Sequence, residues 1–308
     1  MPLSLTPTRA GVLMALGAIV GWSFNFIFSR SVAGIFPPFT FAFMRITVAL
    51  IVFAPFAGRD FLRCWPIFLN RPFFYIFLAL TGLGYFNPLI YISGQTTTAI
   101  NMALLALASP IFTLILSRVF LGDAFTPRRL SGLFAAISGV VLLTTRGDVA
   151  LLLELNFHIG DLIMIFASFI FACYSVSLRY IDERVSSNAF IFFLVAASFL
   201  FLLPPAAWEM SQGLQAQFTP VTITGIVYLG IVATILCYIG WNGAIARLGP
   251  GNTALLYYTM PLFIGFEAVL LLGEPLRWFH FVSGMLIIAG VLVATQKQVG
   301  DRTTKTAA

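Results

Sequence analysis

Ten apolar runs of roughly twenty residues each, joined by loops of about a dozen residues or fewer, leave this chain little choice of solvent. A bilayer core about 30 Å thick is crossed by about 20 residues of helix. The runs fall at 10–29, 37–57, 72–94, 99–121, 128–145, 159–178, 187–207, 221–245, 251–272 and 278–296. Charged residues make up 9% of the chain and hydrophobic ones 60%. A water-soluble surface carries about 25% charged residues, so lipid must cover most of this one. The longest loops, around 59–71 and 146–158, leave no room for a separate soluble domain. The expected fold is an all-α polytopic membrane protein. Its first run continues to about Phe28, long enough to span, and is read as a helix rather than a signal peptide.

The net charge of +6 looks like a nucleic-acid signal until its carriers are located. They sit a few at a time between apolar runs, with no basic stripe. On the side shared by both termini lie Arg9, Arg59, Arg63, Arg71, Arg118, Arg128, Arg129, Arg179, Arg184, Arg247, Lys297, Arg302 and Lys305. The opposite side has Arg30, Arg146 and Arg277, and Arg45 lies inside a span. Basic loops stay on the cytoplasmic side, so a multi-pass protein with both termini cytoplasmic is expected, in a bacterial-type inner membrane. Cys64, Cys173 and Cys237 are far apart and His158 and His280 are isolated, so no disulfide framework, metal site or cofactor is expected.

The two halves echo each other. Gly11, Phe41 and Pro55 match Gly160, Phe190 and Pro204 at an offset of 149. Asn101, Pro110, Gly122 and Gly139 then match Asn252, Pro261, Gly273 and Gly290 at 151. One coincidence of glycine or proline means little, but this ordered series indicates duplication. The expected division is a first repeat over 1–148, a second over 149–296 and a cytoplasmic tail over 297–308. Five spans per repeat is an odd number, so the second repeat enters from the opposite face. Inverted repeats of this kind build carriers with a site at the repeat interface.

Ser109-Pro110 through Leu121-Gly122-Asp123 and Gly139, then Asn252-Thr253-Ala254-Leu255-Leu256, Met260-Pro261, Leu272-Gly273-Glu274-Pro275-Leu276 and Gly290, carry a further likeness. With them the sequence resembles the drug/metabolite transporter superfamily, specifically its ten-helix members made of two EamA-type repeats. Arg45 matches a recurrent position of that family, whereas Asp123 stands where a glutamate is the family pattern. Within the superfamily, the aromatic-rich spans are similar to bacterial exporters of aromatic and other neutral amino acids. The resemblance implies a secondary transporter working by alternating access, with export as its direction. Export of other small metabolites or drugs is the alternative reading, and a channel a further one. With peripheral histidines and no HExxH, the sequence offers no catalytic constellation.

Two ionisable groups lie well inside spans, Arg45 and Glu267. They sit roughly 12 and 8 Å from the outer ends. Intramembrane charges face protein or water and find partners. As a gate, the two pair or flank an outer closure; otherwise each bonds separately within the structure. Polar and aromatic groups at mid-span form the candidate substrate-binding set: Trp22, Asn25, Tyr85, Asn87, Tyr91, Tyr174, Ser175, Trp241, Asn242, Tyr257 and Tyr258. Amide dipoles and ring walls suit a zwitterion with an apolar side chain, while the same residues also serve as hydrogen-bonding glue between helices. Pro88, Pro110 and Pro261 are read as helix bends, the last two as symmetric ones. Asn101 and Asn252 are compatible with helix capping or with a helix-terminus site. Gly17-xxx-Gly21 and Ser131-xxx-Ala135-xxx-Gly139 are read as packing stripes. The partners expected are a small-molecule substrate and the lipid bilayer, with a functional monomer and no nucleic acid. A single buried carboxylate permits proton coupling without requiring it.

Overall fold

The structure is a computed structural model that describes residues 6–97, 99–145, 147–148, 158–214, 216–272 and 277–295. Those residues form fourteen α-helices and no strand. They are α1 (Pro7–Ser31), α2 (Pro38–Asn70), α3 (Pro72–Ala79), α4 (Phe86–Thr96), α5 (Ala99–Ala106), α6 (Ala108–Leu121) and α7 (Pro127–Thr144) in the first half. The second half holds α8 (Ile159–Ser177), α9 (Ser187–Ser211), α10 (Pro220–Tyr228), α11 (Cys237–Leu248), α12 (Pro250–Leu256), α13 (Met260–Leu272) and α14 (Trp278–Thr295). Seven stretches among the described residues are long and apolar enough to cross a membrane: Pro38–Asn70, Pro72–Thr96, Leu104–Leu121, Ile159–Tyr180, Ser187–Ser211, Pro220–Leu248 and Trp278–Thr295. Proline opens α2, α3, α7, α10 and α12, where its missing N–H costs nothing and its fixed φ suits the first turn.

Several helices contain a local change of winding, placed alike in the two halves. A π-turn at Leu80–Gly84 joins α3 to α4, and another at Leu229–Leu236 joins α10 to α11. Their first residues are 149 apart. Likewise α5 breaks from α6 at Leu107, and α12 from α13 at a 3₁₀ turn, Tyr257–Thr259. Pro110 and Pro261 follow these breaks within the first turn of α6 and α13. Pro88 stands in the first turn of α4, just after the π-turn.

The helix pairs follow the same duplication. Equivalent helices α2 and α9 pack along each other, as do α7 and α14. The remaining contacts exchange between halves: α1 lies along α11 where α8 lies along α4, and α13 touches α1 where α6 touches α8. In the α7–α14 seam a Cβ added at Gly132 would lie 2.5 Å from Gly290 O and Ala294 N, and one at Gly290 would lie 2.5 Å from Ala136 N and Gly132 O. Such backbones touch directly. The packing stripe is therefore Gly132, Ala136 and Gly139, one residue on from the anticipated Ser131 and Ala135; Ser131 is exposed and bonds its own helix at Arg128 O. Along α1, Gly21 abuts Cys237 Sγ as a packing glycine, but Gly17 faces open space.

The segment after Ala57 also departs from expectation. Instead of a loop, α2 continues as helix to Asn70, roughly 50 Å in all. Its extension carries its own apolar stripe. Phe61 packs on Phe192 and Phe68 on Phe193, with ring centroids 5.1 and 4.6 Å apart, while Arg63 and Asp60 stay outside.

Candidate functional site

Where α1, α4, α8 and α11 meet, the seams exchanged between the halves converge on a cavity. Trp22 and Asn25 of α1 line it with Phe86, Asn87 and Ile90 of α4, Phe171 of α8, Tyr238 of α11 and Tyr257 of the 3₁₀ turn. Its volume is about 10 Å³, the room of one water. A cavity of that size has no room for a solute in this conformation. Rings close it: Trp22 makes edge contacts with Phe171 and Tyr238 at 5.6 and 5.4 Å, and Phe86 stacks on Phe171 at 4.6 Å. A second layer, Tyr174 and Trp241, packs 5.8 Å behind Phe171.

The polar edges of these rings are spent on the π-turns. Trp22 Nε1 donates to Ala233 O at 2.8 Å, and Tyr238 OH donates to Gly82 O. A π-turn breaks the regular i→i−4 ladder, and backbone carbonyls at membrane depth must be satisfied by protein or by a wet cavity. Each half therefore supplies a ring donor that crosses to a π-turn and fixes an aromatic wall. Behind the wall, Trp241 Nε1 donates to Ser175 Oγ at 3.2 Å and Tyr174 OH to Asn242 Oδ1 at 2.8 Å. Tyr258 OH donates to Leu107 O at 3.2 Å, joining the two helix breaks. So Tyr174, Ser175, Trp241, Asn242 and Tyr258 support the cavity, whereas Trp22, Asn25, Asn87 and Tyr257 face it.

Tyr85 does neither. It is 47% exposed and packs on Phe201 at the periphery. Two residues are about 200° of helix, so a face shared by Asn87 and Tyr91 excludes Tyr85. Tyr85→Ala is expected to leave stability within about 0.5 kcal/mol of wild type, the usual scale of a surface change, as read from the thermal transition in detergent. Phe86, Ile90 and Phe171 take the places that sequence reasoning missed. Their helical phase relative to Asn87 and Tyr174 was the available signal, but thirty-three phenylalanines diluted it.

One hydrogen bond behind Asn87 lies Arg45, 1% exposed. Its Nη1 donates to Asn87 Oδ1 at 2.9 Å and to Tyr91 OH at 2.6 Å, and its Nη2 donates to Thr234 Oγ1 at 2.7 Å. Tyr91 OH in turn donates to Asn25 Oδ1 at 3.3 Å. All these partners are neutral, and Nε has none. Of the two readings of Arg45 and Glu267, a direct pair is not seen in this structure, where each bonds separately. Glu267 bonds Ser23 on α1, and among the described residues the ion pairs are Arg63–Asp60 and Arg184–Asp182. The two charges belong to different seams: Arg45 faces α4 and the second π-turn, whereas Glu267 faces α1.

Two other acids are buried, and both cap helices. Glu209 accepts from Phe39 N at 3.1 Å and from Thr40 N at 2.7 Å, in the first turn of α2. Asp161 accepts from His158 N at 2.7 Å and Thr97 Oγ1 at 2.5 Å. Carboxylates at a helix N-terminus meet orphan amides and the positive dipole end. Asn252, compatible by sequence with a cap or a helix-terminus site, lies in the first turn of α12 behind Gly249 at the N-cap, accepting from Arg129 Nη2 at 3.0 Å and donating to Leu248 O at 3.0 Å. The side chain of Asn101 falls outside the described residues. The three cysteines are free, and no group of three metal-ligating side chains occurs among the described residues.

Comparison with known proteins adds a family to this geometry. The model of the EamA-like transporter family matches residues 9–145 and again 158–296. An uncharacterized transporter of Archaeoglobus fulgidus is 28% identical over 94% of this chain and 99% of its own. A probable amino-acid metabolite efflux pump of Salmonella typhimurium is 25% identical over 93% and 95%. A solved crystal structure, 20% identical, shares the fold with a TM-score of 0.71 over 92% of this chain and 96% of that one.

Proposed function

The chain belongs to the EamA-like transporter family, and from that premise we propose that it is an alternating-access exporter of amino acids, those with apolar and aromatic side chains included. The observation that carries this reading is Arg45, a guanidinium shut away from water with neutral partners alone, one hydrogen bond from an aromatic-walled cavity. A buried charge without a counter-ion costs several kcal/mol, and the carboxylate of an arriving amino acid would supply one. Asn87 and Tyr91 hold the guanidinium until then. In this reading Asn25 and Asn87 line the cavity beside the polar group of the substrate, and the rings of Trp22, Phe86 and Phe171 line it beside the side chain. The name of the Salmonella typhimurium relative agrees with this class of cargo.

The working architecture in this proposal is ten membrane crossings in two inverted five-helix repeats. The twofold match of the family model, the paired π-turns and the self-exchanging helix contacts support it. Both termini lie in the cytoplasm of a bacterial inner-membrane protein, as the basic loops argue. One chain encloses the cavity, which supports a functional monomer.

Reconstituted into liposomes, the protein is expected to move radiolabelled L-phenylalanine in a saturable way. Phenethylamine, which lacks the carboxylate, should compete at least tenfold more weakly. Equal competition by phenethylamine, or flux that never saturates, would overturn the amino-acid reading; the former points to other metabolites or drugs and the latter to a channel.

A further inference from the structure

Glu267 differs from the other buried acids in what it bonds. It is 8% exposed on α13, and where Glu209 and Asp161 have backbone amides Glu267 has a single serine. Ser23 Oγ is hydrogen-bonded to two oxygens, Val20 O at 2.6 Å and Glu267 Oε1. A serine hydroxyl carries one hydrogen and an ionised carboxylate carries none. Ser23 Oγ–H is the donor to both oxygens, so its single hydrogen is shared and Glu267 receives less than one full hydrogen bond. Glu267 Oε2 points the same way, since it is buried with no partner. An orphan oxygen is expensive on an ionised carboxylate and far cheaper as the carbonyl end of a neutral acid.

The surroundings supply no compensating charge among the described residues. On α10, Tyr228 OH is committed to Gly21 O at 3.0 Å, and on α11 Cys237 lies against Gly21. The 3₁₀ turn brings Tyr257 and Tyr258, and the described charge of α1 is Arg9 at its far end. On α14, His280 is at the first turn, bonded to Arg277 N.

We propose that Glu267 is a proton-carrying site: it holds a proton while the cavity is closed and releases it to water in another state of the cycle, coupling outward amino-acid movement to inward proton movement. The mechanical link is α1. Trp22 forms the cavity wall and the adjacent Ser23 holds Glu267, so a shift of α1 that opens the cavity also breaks the Ser23–Glu267 bond. Water reaching the exposed acid takes its proton.

The flux arm of the test rests on the amino-acid reading, while an infrared arm does not. With one proton exchanged per substrate, a one-unit pH gradient supports about tenfold accumulation. Liposomes holding the wild-type protein should accumulate L-phenylalanine to about that extent, and Glu267→Gln should lower accumulation relative to exchange by at least fivefold. Separately, the substrate-free protein at neutral pH should show a protonated-carboxyl infrared band that Glu267→Gln removes and Ser23→Ala, which keeps the acid, shifts. Absence of the wild-type band, its survival in Glu267→Gln, or accumulation that ignores both the pH gradient and the substitution would sink the proposal. A wild-type protein that shows the band but moves no L-phenylalanine keeps the proton site and overturns the cargo instead.

Discussion

Arg45→Met should abolish measurable binding and transport of L-phenylalanine, a loss of about a hundredfold or more, while the protein still folds. Truncating one member of a buried charge pair costs about 2–5 kcal/mol in binding, and here the second member arrives only with the substrate. The empty protein is in a different position. Methionine removes a buried cation that has no acidic partner, a change that is often neutral or stabilising when the volume is filled. Tyr91 keeps its bond to Asn25 and Thr234 keeps Leu229 O, so only Asn87 Oδ1 loses its partner. The thermal transition in detergent should therefore move little. Arg45→Lys should lie between, because an ammonium cannot reach Asn87, Tyr91 and Thr234 as the planar fork does. A large fall in thermal stability with normal affinity in the surviving protein would make Arg45 a structural cation and remove it from the site.

Gly290→Leu should have the largest effect on folding. A first side-chain carbon there already falls 2.5 Å from Ala136 N and Gly132 O, which are backbone atoms without freedom to turn aside. Overpacking a well-packed core costs about 1–3 kcal/mol; parting two whole helices forfeits the seam besides. Loss of monodisperse protein is expected, with Gly139→Leu behaving alike because its added carbon meets Ser283 O at 2.9 Å across the equivalent contact. Gly17→Ala is the control. Nothing lies within 4 Å of its added carbon, and alanine favours the helix by about 1 kcal/mol over glycine. Normal yield from Gly290→Leu would mean that α7 and α14 do not pack as described.

How far each feature could be read from the chain depended on how local its cause is. Asn87 and Tyr91, four residues apart, share a helix face by periodicity alone, and so their joint service to Arg45 was within reach of the sequence. Tyr85 failed the same periodic test, and composition alone had placed it among the ligands. Gly132 was missed because a small-residue stripe has two possible phases one residue apart, and only the partner helix selects between them. The continuation of α2 beyond Ala57 was hidden because charged residues there resemble a loop, while the stripe of Phe61, Cys64 and Phe68 gains meaning only against α9.

By itself the sequence determined the solvent, the apolar segments and the duplication, since hydropathy and repetition are properties of neighbours along one line. Tertiary structure decided which rings close the cavity, that the two π-turns receive Trp22 and Tyr238, and that Arg45 and Glu267 live in separate seams. Those outcomes depend on the rotation of each helix about its axis and on contacts between residues as many as 244 positions apart. Rotation is settled by the packing of whole surfaces, and no window of the chain contains both of the surfaces that meet.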